Sequence, residues 1–125
     1  MRLDRVSYSV HMGVNVVLDV IINDASVSFQ IDAPFQADID VLCSQIERFA
    51  ASKGTDITAL DVRGLIPKMI RGIAGCERGC PANAQNLVSS GYKGFEMQYV
   101  DGGILTARRK TAEGSMLALK MFPDF

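Results

Sequence analysis

Two thiols four positions apart, Cys76 and Cys80, sit in the run Gly75-Cys76-Glu77-Arg78-Gly79-Cys80-Pro81, a glycine-flanked segment that ends where a helix is expected to begin. A thiol at a helix N-terminus feels the positive end of the aligned peptide dipoles, and Arg78 adds a neighbouring cation. Both favour the thiolate, the form that attacks, oxidises and binds metals. Cys76 and Cys80 are therefore the candidate thiol or metal ligands, with Arg78 and Pro81 in support. A structural account of the same residues competes with this one: Gly75 and Gly79 serve backbone geometry, Cys76 fills a small core space and Cys80 is an indifferent cap.

Other chemistry finds less support. The segment Cys76-x-x-x-Cys80-Pro81 resembles the tail of a bacterial ferredoxin cluster motif over six residues, but Ile70 and Ile73 stand where its preceding thiols belong. A closed zinc site would need Cys43, Cys76, Cys80 and His11 to converge, yet Cys43 lies beside an apolar helical stripe and His11 on the polar side of a strand pattern. No cofactor is favoured. His11 is the only imidazole, and no Ser, Cys or acid motif accompanies it. Asp38, Asp40, Glu47 and Asp61 read as exposed helix charges or first-turn dipole partners rather than an acid and base pair. The glycines between Gly64 and Gly79 form neither GxGxxG after a strand nor GxxxxGK before Ser or Thr. Lys68, Arg71, Arg78, Arg108 and Arg109 are the cations that could gather into an anion patch, against the plainer account of a solvated surface.

These side chains must be positioned by elements whose periods change twice along the chain. Val6, Tyr8 and Val10 alternate with Arg5, Ser7, Ser9 and His11; after Met12-Gly13 the row resumes as Val14, Val16, Leu18, Val20 and Ile22. Beyond the turn at Asn23-Asp24, Ala25, Val27, Phe29 and Ile31 alternate with Ser26, Ser28, Gln30 and Asp32, which completes a three-stranded meander. Pro34, with Asp32 as a cap, then starts a helix whose face is Phe35, Ile39, Leu42, Ile46 and Phe49, closed by Lys53-Gly54. Between Thr55 and Gly75 the interruptions at Gly64, Pro67 and Gly72 predict two short helical pieces. Pro67 falls early in the second, with Met69, Ile70 and Ile73 buried and Lys68 and Arg71 in water; a strand over Ile57 to Val62 is the competing pattern. Pro81 opens a further helix, capped by Cys80 and followed by Gly91. Period two returns with Phe95, Met97 and Tyr99, a turn at Asp101-Gly102-Gly103, a strand through Arg109, a turn at Glu113-Gly114, and Leu117, Leu119 and Met121. Met69, Met97 and Met121 are placed as core fillers.

The expected fold is thus α+β: one antiparallel sheet of about six strands, a meander of three, a helical middle and a second meander of three, with the helices packed on one face. At 125 residues, 48% apolar and 22% charged, the chain suits a single domain spanning residues 1–125. A formal net charge of -1 with scattered cations disfavours nucleic acid as a partner. No apolar run reaches membrane-spanning length and the opening residues carry no leader pattern, so the chain is expected in the cytoplasm and away from membranes. Three irregularly spaced cysteines fit a reducing compartment. With no catalytic constellation, the expected function is a noncatalytic binding or assembly module with a protein partner or a second copy of itself. The alternative is a thiol-based redox or metal- or iron-sulfur-associated module using the Cys76 and Cys80 loop.

Overall fold

Alternation becomes structure first in a hairpin. The computed structural model describes residues 15–31, 36–74, 81–100 and 103–123, and in it β1 (Val16–Ile22) pairs antiparallel with β2 (Ala25–Ile31). Asn23 takes a positive φ in the two-residue connection, a conformation its short polar side chain tolerates. Val16, Leu18, Val20 and Ile22 are buried and stand opposite Ile31, Phe29, Val27 and Ala25, so the apolar rows of both strands share one face.

The second meander forms as its alternation predicts: β3 (Glu96–Val100), β4 (Ile104–Lys110) and β5 (Met116–Pro123) are consecutive neighbours. Met97, Leu105, Ala107, Leu117, Leu119 and Met121 extend the buried row. The full sheet is antiparallel in the order β2-β1-β5-β4-β3. Five strands, rather than about six, make this sheet among the described residues, and the strand expected over residues 5–11 lies outside them. β1 has β2 on one side and β5 on the other. Alternation fixes which face of a strand is buried and is silent on which strand lies beside it. β1 also carries Val17 and Ile21 on its second face, as suits an interior strand, whereas β2 carries Ser26, Ser28 and Gln30 there.

The helical middle covers one face of the sheet. α1 (Gln36–Ser52) buries Ile39, Leu42, Cys43, Ile46 and Ala50. It ends at Gly54, whose φ of +78 lets the Gly54 and Thr55 amides donate back to the Ala51 and Ala50 carbonyls at 3.0 Å. Lys53 lies over the Phe49 ring in that last turn.

The segment after α1 differs from its sequence pattern. A 3-10 turn (Thr58–Leu60) precedes a single helix, α2 (Val62–Ala74), in place of two short helical pieces, and the competing strand over Ile57 to Val62 does not form. Gly64, Pro67 and Gly72 all lie inside α2, and Pro67 is well past its first turn. Pro67 removes one backbone bond toward the Arg63 carbonyl. The helix persists because Val62, Leu65, Ile66, Met69, Ile70 and Ile73 all bury on one face, and burial of that many side chains outweighs the local penalties. α3 (Pro81–Ser90) starts at Pro81 as expected and stops at Gly91, whose amide donates to the Leu87 carbonyl. No helix among the described residues is long and apolar enough to cross a membrane.

Candidate functional site: a cationic groove between two helices

α2 has two working flanks beside its buried face. On one flank Arg63 reaches α1, where its guanidinium donates to the Asp40 carbonyl at 3.2 Å, Ser44 Oγ at 3.0 Å and Glu47 Oε1 at 3.2 Å. On the other flank Gly72 meets α3. A Cβ added at Gly72 would lie 3.4 Å from Ala84 Cα, so the two helices approach closely at a pair of small residues. Lys68 and Arg71, three residues apart and hence on one stripe of α2, project beside this contact. Asn83, Asn86, Leu87 and Ser90 recur on α3 at the matching helical spacing.

These six residues line an open groove of about 450 Å³. Its floor is the buried Leu87, and its walls present an ammonium, a guanidinium, two side-chain amides and a hydroxyl. Ser90 Oγ donates to the Asn86 carbonyl at 2.8 Å, which fixes the hydroxyl against α3. Among the described residues no carboxylate lies within ion-pair distance of Lys68 or Arg71, while Asp40 and Glu47 are engaged by Arg63 and Asp61 by Lys93. Among the described residues the groove thus sets two cations beside two side-chain amides, and what that arrangement can do chemically is hold an anion.

The structure brings together two of the five cations that the sequence offered for such a patch. Arg108 and Arg109 are on β4, and Arg109 is occupied: its guanidinium donates to the Lys93 carbonyl and lies over the Phe95 ring. Arg78 lies outside the described residues, as do Cys76, Cys80 and His11. Cys43, the remaining thiol, is wholly buried in α1, and desolvation pushes its pKa up to about 11, against a smaller opposing pull from Arg63. It behaves as a small core residue. Among the described residues no group of three or more His, Cys, Asp and Glu side chains converges as a metal site would require.

A second polar cluster escapes a reading of the sequence. Asp61, in the left-handed region at φ 54, caps α2 through Oδ1, which accepts from the Gly64 amide at 3.2 Å. Its Oδ2 accepts from Tyr92 Oη at 2.7 Å and from Lys93 Nζ at 2.5 Å. The Lys93 bond and then the Tyr92 bond hold the Asp61 carboxyl below its usual range. Lys93 is raised, chiefly by Asp61, and Tyr92 is raised by desolvation and then by its bond to Asp61. Tyr92 is thus held protonated, which is the opposite of what a tyrosine base needs. The cluster is a latch joining the start of α2 to the turn before β3. The signal that could have found it is Gly64: a Cβ there would lie 2.2 Å from Tyr92 Oη, so the hydroxyl occupies the space that a missing side chain leaves.

Comparison with protein-family models, with curated proteins and with solved structures returns no match.

Proposed function

We propose that this chain is a noncatalytic binding module that takes a phosphate-bearing small molecule in the α2–α3 groove. The observation that carries this reading is the pairing of Lys68 and Arg71, without a carboxylate partner among the described residues, opposite the side-chain amides of Asn83 and Asn86. Arg71 supplies a planar fork that matches two phosphate oxygens, Lys68 a compact charge, and the Asn amides neutral donors that select for an acceptor-rich ligand. The groove is open, so the module holds the charged group of its ligand and leaves the rest exposed. A volume of about 450 Å³ falls within the ordinary range for small-molecule sites.

The test is a titration of the full chain with inorganic phosphate and with a nucleoside monophosphate, followed by amide chemical shifts. The expected result is saturable shifts at Asn83, Asn86 and Ser90 that are lost in Lys68→Ala/Arg71→Ala, with the dispersion of the rest of the spectrum retained. Cys76→Ala/Cys80→Ala should leave the binding intact. Shifts that ignore the cation substitutions would refute the groove, and loss of binding in the double cysteine variant would move the site to the thiol segment.

A further inference from the structure

Gly64, Lys68 and Gly72 follow one another on α2 at steps of four, and so share one stripe of that helix. Both glycines are places of close approach to the segment that follows. At Gly72 the neighbour is Ala84, early in α3; at Gly64 it is Tyr92 Oη, two residues past the end of α3. From one glycine to the other is about 12 Å of helix, with Lys68 midway. The groove thus lies between two contacts, with Asn83 next to Ala84 and Ser90 two residues before Tyr92.

The two contacts differ in kind. At Gly72 helix meets helix by packing, with room for a Cβ 3.4 Å from Ala84 Cα. At Gly64 the contact is bonded: Tyr92 Oη and Lys93 Nζ donate to Asp61 Oδ2 at 2.7 and 2.5 Å, and Asp61 Oδ1 accepts from the Gly64 amide. The turn that carries Tyr92 and Lys93 is also fixed to the sheet, because Arg109 of β4 donates to the Lys93 carbonyl and lies over the Phe95 ring. Asp61 and Lys93 themselves both have left-handed backbones, at φ 54 and 45. In residues other than glycine that conformation costs energy and persists where the surrounding structure over-determines it. The ion pair joins these two strained residues to each other.

We propose that Asp61, Tyr92 and Lys93 form a clamp that sets the spacing of α2 and α3, which makes Tyr92 and Lys93 positioning residues for the groove. The clamp acts on the ligand site proposed above and rests on that reading for its effect on binding. Closed, it keeps the end of α3 against the start of α2, with Leu87 and Ser90 across from Lys68. Released, the strained turn relaxes and the end of α3 moves away, while the Gly72–Ala84 contact keeps the other end in place. An anion held between the two helices binds the closed spacing better, so its apparent affinity follows the closed fraction.

The experiment applies amide relaxation dispersion and a titration with inorganic phosphate to the full chain and three variants. Tyr92→Phe and Tyr92→Phe/Lys93→Met weaken the clamp by one and by two bonds. Thr55→Val removes a different part-buried bond, to Ser115 Oγ at 3.1 Å, and leaves the clamp intact. The clamp variants should show millisecond exchange at residues 87–90 that the wild type lacks, with the amides of β1 and β5 silent. The double variant should bind phosphate about fivefold more weakly or worse, with the shift at Ser90 reduced more than that at Asn83. Thr55→Val should keep the wild-type affinity. If Thr55→Val reproduces either effect, the clamp is no more than general stability and the inference is overturned. Clamp variants with a silent α3, or with unchanged affinity, overturn it equally. A wild-type chain that binds no phosphate refutes the groove reading alone, and the exchange at α3 then decides the clamp by itself.

Discussion

At the residue scale, Gly64 is the position where a single atom decides most. Helix preference alone favours alanine over glycine there by about 0.8–1 kcal/mol. The space is already taken, however, since a Cβ would sit 2.2 Å from Tyr92 Oη and 2.7 Å from Asp61 Oδ2. Gly64→Ala is therefore expected to destabilise the fold by about 1–2 kcal/mol, the loss of a part-buried hydrogen bond exceeding the gain in propensity. Tyr92→Phe removes the same bond and should cost about 1 kcal/mol. The two should not add: once Tyr92→Phe has removed the oxygen that meets the new methyl, Gly64→Ala becomes milder than in the native chain. Urea unfolding of the two single variants and the double variant measures this, and additive losses would show that the glycine serves something other than the tyrosine.

At the element scale, the latch ties the first turn of α2 to the turn before β3, and its protonation states set a pH window. Asp61 is lowered in the folded chain, so its contribution is present above the ordinary carboxylate value of about 4 and is lost as pH falls through the lowered folded value. Lys93 and Tyr92 are raised, so their contributions are complete below their ordinary values near 10 and are lost as pH rises through the folded ones. The latch should hold between these limits. Asp61→Asn, which keeps a capping oxygen for the Gly64 amide but no charge, should flatten the acid limb of the stability profile. An unchanged acid limb would assign the acid sensitivity to other carboxylates. The same scale explains why local signals divide α2 where the structure does not. Its glycines and proline speak against a helix, and the burial that overrides them involves β4, β5, α1 and α3, which a local window does not contain.

At the scale of the whole molecule, the proposed groove is expected to respond to salt. Binding in the groove depends on Lys68 and Arg71 at an exposed site and should weaken steeply as ionic strength rises from about 0.05 to 0.5 M, because the screening length shrinks to a few Å. Calorimetry across one salt series tests this. A groove affinity indifferent to salt would exclude the two cations as its source.

Much of the architecture is settled by local pattern. The alternating rows of β1, β2 and β3 to β5, the apolar stripe of α1 with its Lys53-Gly54 ending, the Pro81 start of α3 and the buried positions of Met69, Met97 and Met121 all follow from period and capping, which act within a few residues. Lys68 and Arg71 were legible as cations on the wet side of a helix. Their placement opposite Asn83, Asn86 and Ser90 was not, because it depends on how closely α2 and α3 approach at Gly72 and Ala84. The insertion of β5 beside β1 sets Val16 opposite Pro123, and the latch seats Tyr92 and Lys93 on Asp61, partners far apart along the chain. Such neighbours are chosen by burial and by space across the whole core, and period along the chain carries no record of them.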